Sequence, residues 1–312
     1  MGSDLYETIY QTIGNTPIVK LNSVVPENAA DVFLKMESFN PTGSYKDRMA
    51  WAMIEEAEKR GELKSGMTVV EFTGGSTGSS LAFICAGKGY PFSVVSNDAV
   101  AKEKLDTMRA FGANLTLEKS INGKITPDLI KRMIKKASEL SEDPSTYFTD
   151  QLNNNDSIIG YEGIGDELIK QLGDIDIFCG MVGTAGMIMG VSKSLKKANM
   201  KTRIVVLEPA ESPFLSSGNS GPHNVEGTAI GFTPPLLDKN LYDEVRTVKE
   251  EDGRKMARLL AKQEGIFIGI SSGLNVVAAI ELAKELGPGK KVVTVAVDTG
   301  LKYLSGTLFS EV

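Results

Sequence analysis

The chain has 312 residues, is 41% hydrophobic and 24% charged, and carries a net charge of −6. That is enough chain to bury a large core in two domains or lobes, and its charge gives no electrostatic case for nucleic acid or an anionic membrane. No apolar run approaches the ~20 residues of a membrane span, and MGSDLYETIY lacks the pattern of a secretory signal; a cytoplasmic protein is the expectation.

The single histidine, His223, works by exclusion. A zinc protease motif or any histidine-based metal site is out of reach, and no metal is expected. The GxSxG elbow of serine hydrolases is absent. The two cysteines, Cys85 and Cys179, lie in separate apolar runs and read as buried, reduced thiols. Chemistry must therefore come from lysine, hydroxyls, carboxylates, backbone amides or a cofactor.

In chain order, the first informative stretch is Ser38 to Arg48, SFNPTGSYKDR. Pro41 and Gly43 mark a turn, and Ser44 is placed to cap the helical run that follows. Lys46 then falls in a first helical turn, the unfavourable end for a cation. If partly desolvated it loses proton affinity and suits a neutral nucleophile or base; the plainer alternative is an exposed surface lysine. Residues 67–72, 92–97 and 113–119 read as strands, each followed by a helix, the last of these near 126–140. Residues 176–183, 203–209 and 291–298 are short, β-branched and apolar on both faces. Continuous apolar strands between helices predict an α/β architecture with parallel sheets covered on both sides.

Two runs of small residues stand at strand-to-helix junctions: Glu71 to Ala82 (EFTGGSTGSSLA) and Gly180 to Gly190 (GMVGTAGMIMG). Such loops bring backbone N–H groups and a helix N-terminus to an anion at the carboxyl ends of parallel strands. Neither is a P-loop and neither has dinucleotide spacing. The pair points to a ligand with two separated anions, such as a phosphate and a carboxylate. Residues 213–235 form a long Gly/Pro-rich loop of the kind that carries function. Glu264 to Asn275 reads as strand, turn, helix, where Ser271 and Ser272 either cap the helix or aim a hydroxyl at a ligand ring. Val295 to Ser305 (VAVDTGLKYLS) ends a strand in an Asp-Thr-Gly turn.

The ordered set NPTGSYKDR, TGGSTG, GTAG, HNVEGTAIGFTP, EGIFIGISSG and VDTGLKYLS resembles the fold-type II pyridoxal-phosphate enzymes. Within them the pattern is most similar to the cysteine synthases (O-acetylserine sulfhydrylases), then to cystathionine β-synthase cores. The resemblance runs from residue 12 to residue 305. It implies a two-lobed, tryptophan synthase β-like fold: a smaller mobile lobe over 45–150 that binds the substrate carboxylate, and a larger cofactor-binding lobe from 1–44 and 151–312. It implies pyridoxal 5'-phosphate held covalently by Lys46. Gly183, Thr184, Ala185, Gly186 and Met187 would cradle the phosphate, Ser271 would face the pyridine nitrogen, and Ser76 would lie near the 3-hydroxyl. Thr73, Gly74, Gly75, Ser76, Thr77 and Gln151 would hold the substrate carboxylate, while Gly227, with Gly231, would line the opening.

The implied reaction is β-replacement on an activated serine through an α-aminoacrylate. O-acetylserine and sulfide would give cysteine and acetate, with a thiol as the other nucleophile able to add and Lys46 as base. Alternatives on the same scaffold are a cystathionine- or lanthionine-type synthase, a cysteine desulfhydrase, or a non-catalytic relative. A homodimer is implied, with serine acetyltransferase as a partner. Four positions depart from the usual pattern: Tyr45, Ser76 (usually asparagine), Met187 (usually threonine) and Gly160 (usually bulkier).

Overall fold

The computed structural model describes residues 5–310. In chain order its elements are β1 (Ile18–Lys20), β2 (Asp31–Lys35), α1 (Lys46–Arg60), β3 (Thr68–Phe72), α2 (Ser76–Lys88), β4 (Phe92–Asn97), α3 (Lys102–Ala110), β5 (Asn114–Glu118), α4 (Pro127–Leu140), β6 (Thr146–Phe148), α5 (Asp156–Leu172), β7 (Ile177–Met181), α6 (Gly186–Ala198), β8 (Arg203–Pro209), α7 (Phe214–Ser217), β9 (Glu244–Val248), α8 (Glu250–Gln263), α9 (Ile270–Leu286) and β10 (Lys291–Val295). No helix among the described residues is long and apolar enough to cross a membrane.

The strands form two sheets. One has the order β1-β2-β10-β7-β8-β9, the other β5-β4-β3-β6. Every pairing is parallel except β1 with β2. This is the expected α/β architecture, and its cause is legible in single strands: every residue of β7 is buried, as is all of β3 after Thr68. A strand covered on both faces needs apolar residues on both, so alternation disappears. The four-stranded sheet takes all its strands from residues 68–148; the six-stranded sheet takes its strands from both flanking parts of the chain.

Helix α1 lies between these parts, packed on α2 and on α5. The close crossing with α5 explains the glycine at 160. A Cβ there would stand 2.5 Å from the Arg48 carbonyl oxygen. Arg48 makes the crossing rigid: its guanidinium donates to Glu37 (Nε–Oε2, 2.7 Å) and to Glu167 (Nη1–Oε1, 2.7 Å). Both cysteines are buried, Cys85 in α2 and Cys179 in β7, and burial pushes each thiol up to about 12.

Three local expectations change. Residues 266–269 form no strand; Ile268 makes only an isolated bridge to Thr299. Ser271 and Ser272 do not cap a helix, because α9 already begins at Ile270. Ser272 instead accepts the Val297 N–H at 2.8 Å, tying the first turn of α9 to the chain leaving β10. Ser44 is likewise one residue short of the cap position, and its hydroxyl accepts the Lys46 N–H at 3.3 Å.

Candidate active site

A cavity opens at the carboxyl ends of the parallel strands of both sheets, where β3, β7 and β10 run into α2, α6 and the 296–303 turn. Such crevices are the natural ligand sites of parallel α/β sheets. Lys46, Thr73 to Thr77, Gln151, Thr184, Gly227 and Ser271 all line it. Residues spread across more than 220 positions of sequence thus meet in one place.

The triplet Lys46-Asp47-Arg48 divides its work by direction. Arg48 anchors the helix as described. Asp47 turns back and accepts from the Thr42 N–H and hydroxyl (2.7 and 2.6 Å), holding the Pro41–Ser44 turn. Lys46 reaches into the cavity. Its Nζ lies 3.8 Å from the Met49 sulfur and 5.2 Å from the centre of the Tyr45 ring. Tyr45 in turn packs on Tyr161, with ring centres 5.3 Å apart. In this enclosure burial pulls the Lys46 ammonium down to about 8, against the opposing field of Glu71. Desolvation, more than position in the helix, produces the low proton affinity.

The loop after β3 is set by buried polar side chains. Gly75 sits at φ 142° before α2, and its N–H donates to the Thr73 hydroxyl at 3.0 Å. The Thr77 hydroxyl donates to Gln151 Oε1 (2.9 Å), and Gln151 Nε2 donates to the Phe72 carbonyl (2.7 Å). Behind them lies Glu71, fully buried. It accepts from the N–H groups of Phe72 and Gln151 (2.9 and 3.0 Å) and from the Thr149 hydroxyl (2.7 Å). Burial lifts the Glu71 carboxyl to about 8, though all three donors oppose the shift. Glu71 therefore clamps the β6–α5 connection, and with it Gln151, onto the end of β3.

The loop after β7 is set by backbone contact. A Cβ on Gly183 would stand 2.0 Å from the Gly227 carbonyl oxygen. Ala185 holds φ 71° immediately before α6 begins at Gly186. The Ala229 N–H donates to the Val182 carbonyl (3.0 Å), stitching the 224–231 segment to this loop. First-turn N–H groups of a 13-residue helix thus lie beside the Thr184 side chain at the cavity, an arrangement that favours an anion. Asn275 pegs the neighbouring α9 by accepting from the Met181 N–H (2.8 Å) and donating to the Val295 carbonyl (3.0 Å). Of the expected phosphate loop only Thr184 lines the cavity; Gly183, Ala185 and Gly186 stand behind it in the loop and the start of α6, and Met187 is set further apart. Its side chain is buried in the core and does not line the cavity; its methyl group lies against Gly180.

Sequence reasoning overlooked a polar cluster at the cavity wall. Lys104 Nζ reaches Glu226 Oε2 (2.6 Å), the Tyr303 hydroxyl (2.9 Å) and Asp298 Oδ2 (3.5 Å). The Ser76 hydroxyl donates to the same Asp298 oxygen at 3.1 Å. Burial opposes a charged Lys104, but Glu226, Tyr303 and Asp298 together raise its pKa well above the ordinary lysine value. Nearby, the buried Lys302 Nζ and Asp298 Oδ1 have no hydrogen-bond partner among the described residues, and burial draws Lys302 down to about 8. No local pattern signals this cluster, since its ion pairs join residues 122 and 194 positions apart.

The site fits pyridoxal phosphate on the chemistry of its groups: a low-pKa amine, a backbone loop at a helix N-terminus that favours an anion, and a serine hydroxyl in the same lining. Comparison with known proteins agrees. The family model described as "Pyridoxal-phosphate dependent enzyme" matches residues 9–298. A cysteine synthase of Staphylococcus aureus is 45% identical over 309 residues, covering 97% of each chain. Among solved structures, an O-ureido-L-serine synthase superposes with a TM-score of 0.92 at 36% identity, covering 99% of this chain and 96% of its own. An O-acetyl serine sulfhydrylase of Entamoeba histolytica gives 0.91 at 34% identity, covering 99% and 93%.

Proposed function

Because this chain belongs to the pyridoxal-phosphate-dependent enzymes, we propose that its cavity performs β-replacement with O-acetylserine as donor and sulfide as acceptor, yielding cysteine and acetate. The family makes the chain an enzyme of cysteine synthase type that uses pyridoxal phosphate for β-replacement. The observation that carries the site reading is the enclosure of Lys46 between the two small-residue loops, with its amine drawn down to about 8.

When bound, the cofactor supplies a carbonyl for covalent attachment and a conjugated ring that takes up the electron pair of the substrate α-carbon. The remaining work falls to the chain. Lys46 is the attachment point and then the base that takes and returns the α-proton. Gly183, Thr184, Ala185 and Gly186 offer N–H groups and one hydroxyl to the phosphate; Met187 contributes no side-chain donor. Ser271, which lines the cavity, would offer the ring nitrogen a neutral hydroxyl and so would leave the ring largely uncharged, which favours departure of the β-substituent. Thr73 to Thr77 and Gln151 hold the carboxylate. Ser76, hydrogen-bonded to Asp298, would lie near the cofactor hydroxyl, and Gly227 would border the opening.

On the same reading, residues 45–150 act as a smaller lobe that closes over the carboxylate and excludes water. Residues 1–44 and 151–312 hold the cofactor. The resemblance extends the proposal to a cytoplasmic homodimer, with serine acetyltransferase as the enzyme that supplies the donor. The test is direct. Protein loaded with pyridoxal phosphate is given O-acetylserine and sulfide, and cysteine and acetate are expected in equal amounts. No cysteine from that pair, with steady release of sulfide from L-cysteine alone, overturns the proposal in favour of a desulfhydrase.

A further inference from the structure

Glu71 is a buried carboxyl whose hydrogen-bond partners are all neutral. It stands near the end of β3, directly before the loop that carries Thr73 to Thr77. A buried carboxyl bonded to two backbone N–H groups and a hydroxyl, and to no cation, is favoured in its uncharged form. The charged groups that face it are Lys46 from α1, which favours ionisation, and Asp150 from the β6–α5 connection, which opposes it. The other elements packed around it bring no charge: Val94 is its neighbour on β4, α2 has no charged residue before Lys88, and α4 turns Leu129, Met133 and Ala137 inward.

An uncharged carboxyl needs an acceptor for its own proton, and the structure supplies one. Thr149 Oγ1 lies 2.7 Å from Glu71 Oε2 and 3.1 Å from the Val70 carbonyl oxygen. A hydroxyl carries one proton and can accept as well as donate. Two arrangements are therefore open to the same atoms. With Glu71 ionised, the Thr149 hydroxyl donates to Oε2, and the Val70 carbonyl keeps the Thr149 N–H at 3.1 Å. With Glu71 neutral, Oε2–H donates to Thr149, whose hydroxyl turns to the Val70 carbonyl. The Phe72 and Gln151 N–H groups stay bonded to Glu71 in both. Neither state leaves a member of this network without a partner, so a proton can come and go without breaking the fold.

The network reaches the cavity through Gln151, whose N–H is held by Glu71 and whose side chain bridges the Thr77 hydroxyl and the Phe72 carbonyl. An anion laid on this loop faces Glu71 through packed protein of low dielectric, where like charges repel strongly. We propose that Glu71 is a positioning residue that acts as a neutral acid: with its proton held by Thr149 and Val70, the loop receives the substrate carboxylate, and ionised Glu71 turns that carboxylate away. The inference rests on the reading above that residues 73–77 and Gln151 hold the substrate carboxylate. On ionisation the Glu71 proton leaves to solvent, and no other covalent bond changes.

The experiment uses enzyme loaded with pyridoxal phosphate, and propionate, a carboxylate with no amine of its own to titrate. Its dissociation constant is read from the cofactor absorbance between pH 6 and pH 10. In the wild type it is expected to stay level up to about 8, the value to which burial lifts Glu71, and then to rise by up to about tenfold per pH unit. Glu71→Gln has no proton to lose, so its binding, weaker at pH 7, is expected to stay level across the range. Thr149→Ser keeps the hydroxyl and is expected to keep the wild-type midpoint. Infrared difference spectra of the loaded wild type between pH 7 and pH 9.5 are expected to show loss of a carboxylic-acid band that shifts with isotope-labelled glutamate. A level wild-type profile, the same rise in Glu71→Gln, or no such band overturns the inference and leaves the β-replacement reading standing. No propionate binding at any pH overturns the carboxylate assignment of the loop as well. The wild-type profile and the labelled band decide the matter even if Glu71→Gln does not fold.

Discussion

The two sides of the cavity are built by different means. On the six-stranded-sheet side, the loop after β7 is fixed by backbone against backbone: Gly183 on the Gly227 carbonyl, Val182 bonded to Ala229. On the four-stranded-sheet side, the loop after β3 is fixed by buried side chains: Glu71, Thr77, Thr149 and Gln151. The first is a cast, which admits no added atom. The second is a network whose members can be exchanged singly at graded cost. On the proposed assignment the cast would face a fixed cofactor and the network a variable substrate, so that one scaffold can keep its chemistry while changing what it acts on.

The largest effect should come from Lys46, which serves both sides. Lys46→Ala is expected to abolish covalent capture of the cofactor, read as loss of the yellow absorbance, and to lower turnover by about 10²–10⁴-fold as expected for a lost general base. In the wild type, the neutral amine is the nucleophile, so capture should quicken about tenfold per pH unit up to about 8 and then level off. A midpoint near the free lysine value would show that burial does not act as described.

Next in size is the cast itself. Gly183→Ala must displace backbone, at a cost of about 1–3 kcal/mol, and should weaken cofactor affinity about tenfold in a fluorescence titration. Gly74→Ala, whose Cβ would meet nothing within 4 Å, should leave that affinity unchanged. Equal losses in the two variants would erase the distinction. Smaller again is Glu71→Gln, which leaves one backbone N–H facing a donor for about 1 kcal/mol. It should raise KM for O-acetylserine about fivefold without changing cofactor affinity; a loss of cofactor instead would show that the network serves the wrong side.

The smallest effect on catalysis lies behind the wall, where the expected change is in stability alone. Lys302 is a buried cation without a hydrogen-bond partner among the described residues, with its pKa lowered to about 8. The folded state binds fewer protons than the unfolded chain between that value and the ordinary lysine pKa, so stability rises with pH there. Lys302→Met should stabilise by about 1–3 kcal/mol at pH 7, and the gain should fade as pH rises above about 8. Denaturant melts at pH 7 and pH 9.5 check both size and sign.

What could be read from sequence follows the same division. The loops at 71–82 and 180–190 announce themselves because close backbone approach demands runs of small residues, a local signature. Lys46 is legible for a similar reason, standing between a Pro/Gly turn and a periodic helix. The short strands β1, β2, β6 and β9 escaped notice, since three to five residues give little periodicity. Glu71 looks in sequence like the mere start of a glycine-rich loop, and although HNVEGTAIGFTP and VDTGLKYLS contain Glu226 and Asp298, nothing in them points to Lys104 as their partner. A buried charge is recognised by its partners, and partners more than a hundred residues away leave no trace in a local window. The serines at 271 and 272 show the converse: a capping pattern was present, but tertiary contact with Val297 used one of them otherwise.

The burial of Cys85 and Cys179 has a consequence for an enzyme proposed to work with sulfide. Exchange with disulfides requires an accessible thiolate. With both thiols inside the fold and pushed up to about 12, neither cysteine of this chain offers one near neutral pH. Cystine, polysulfides and mixed disulfides therefore meet no accessible cysteine thiolate on the folded protein.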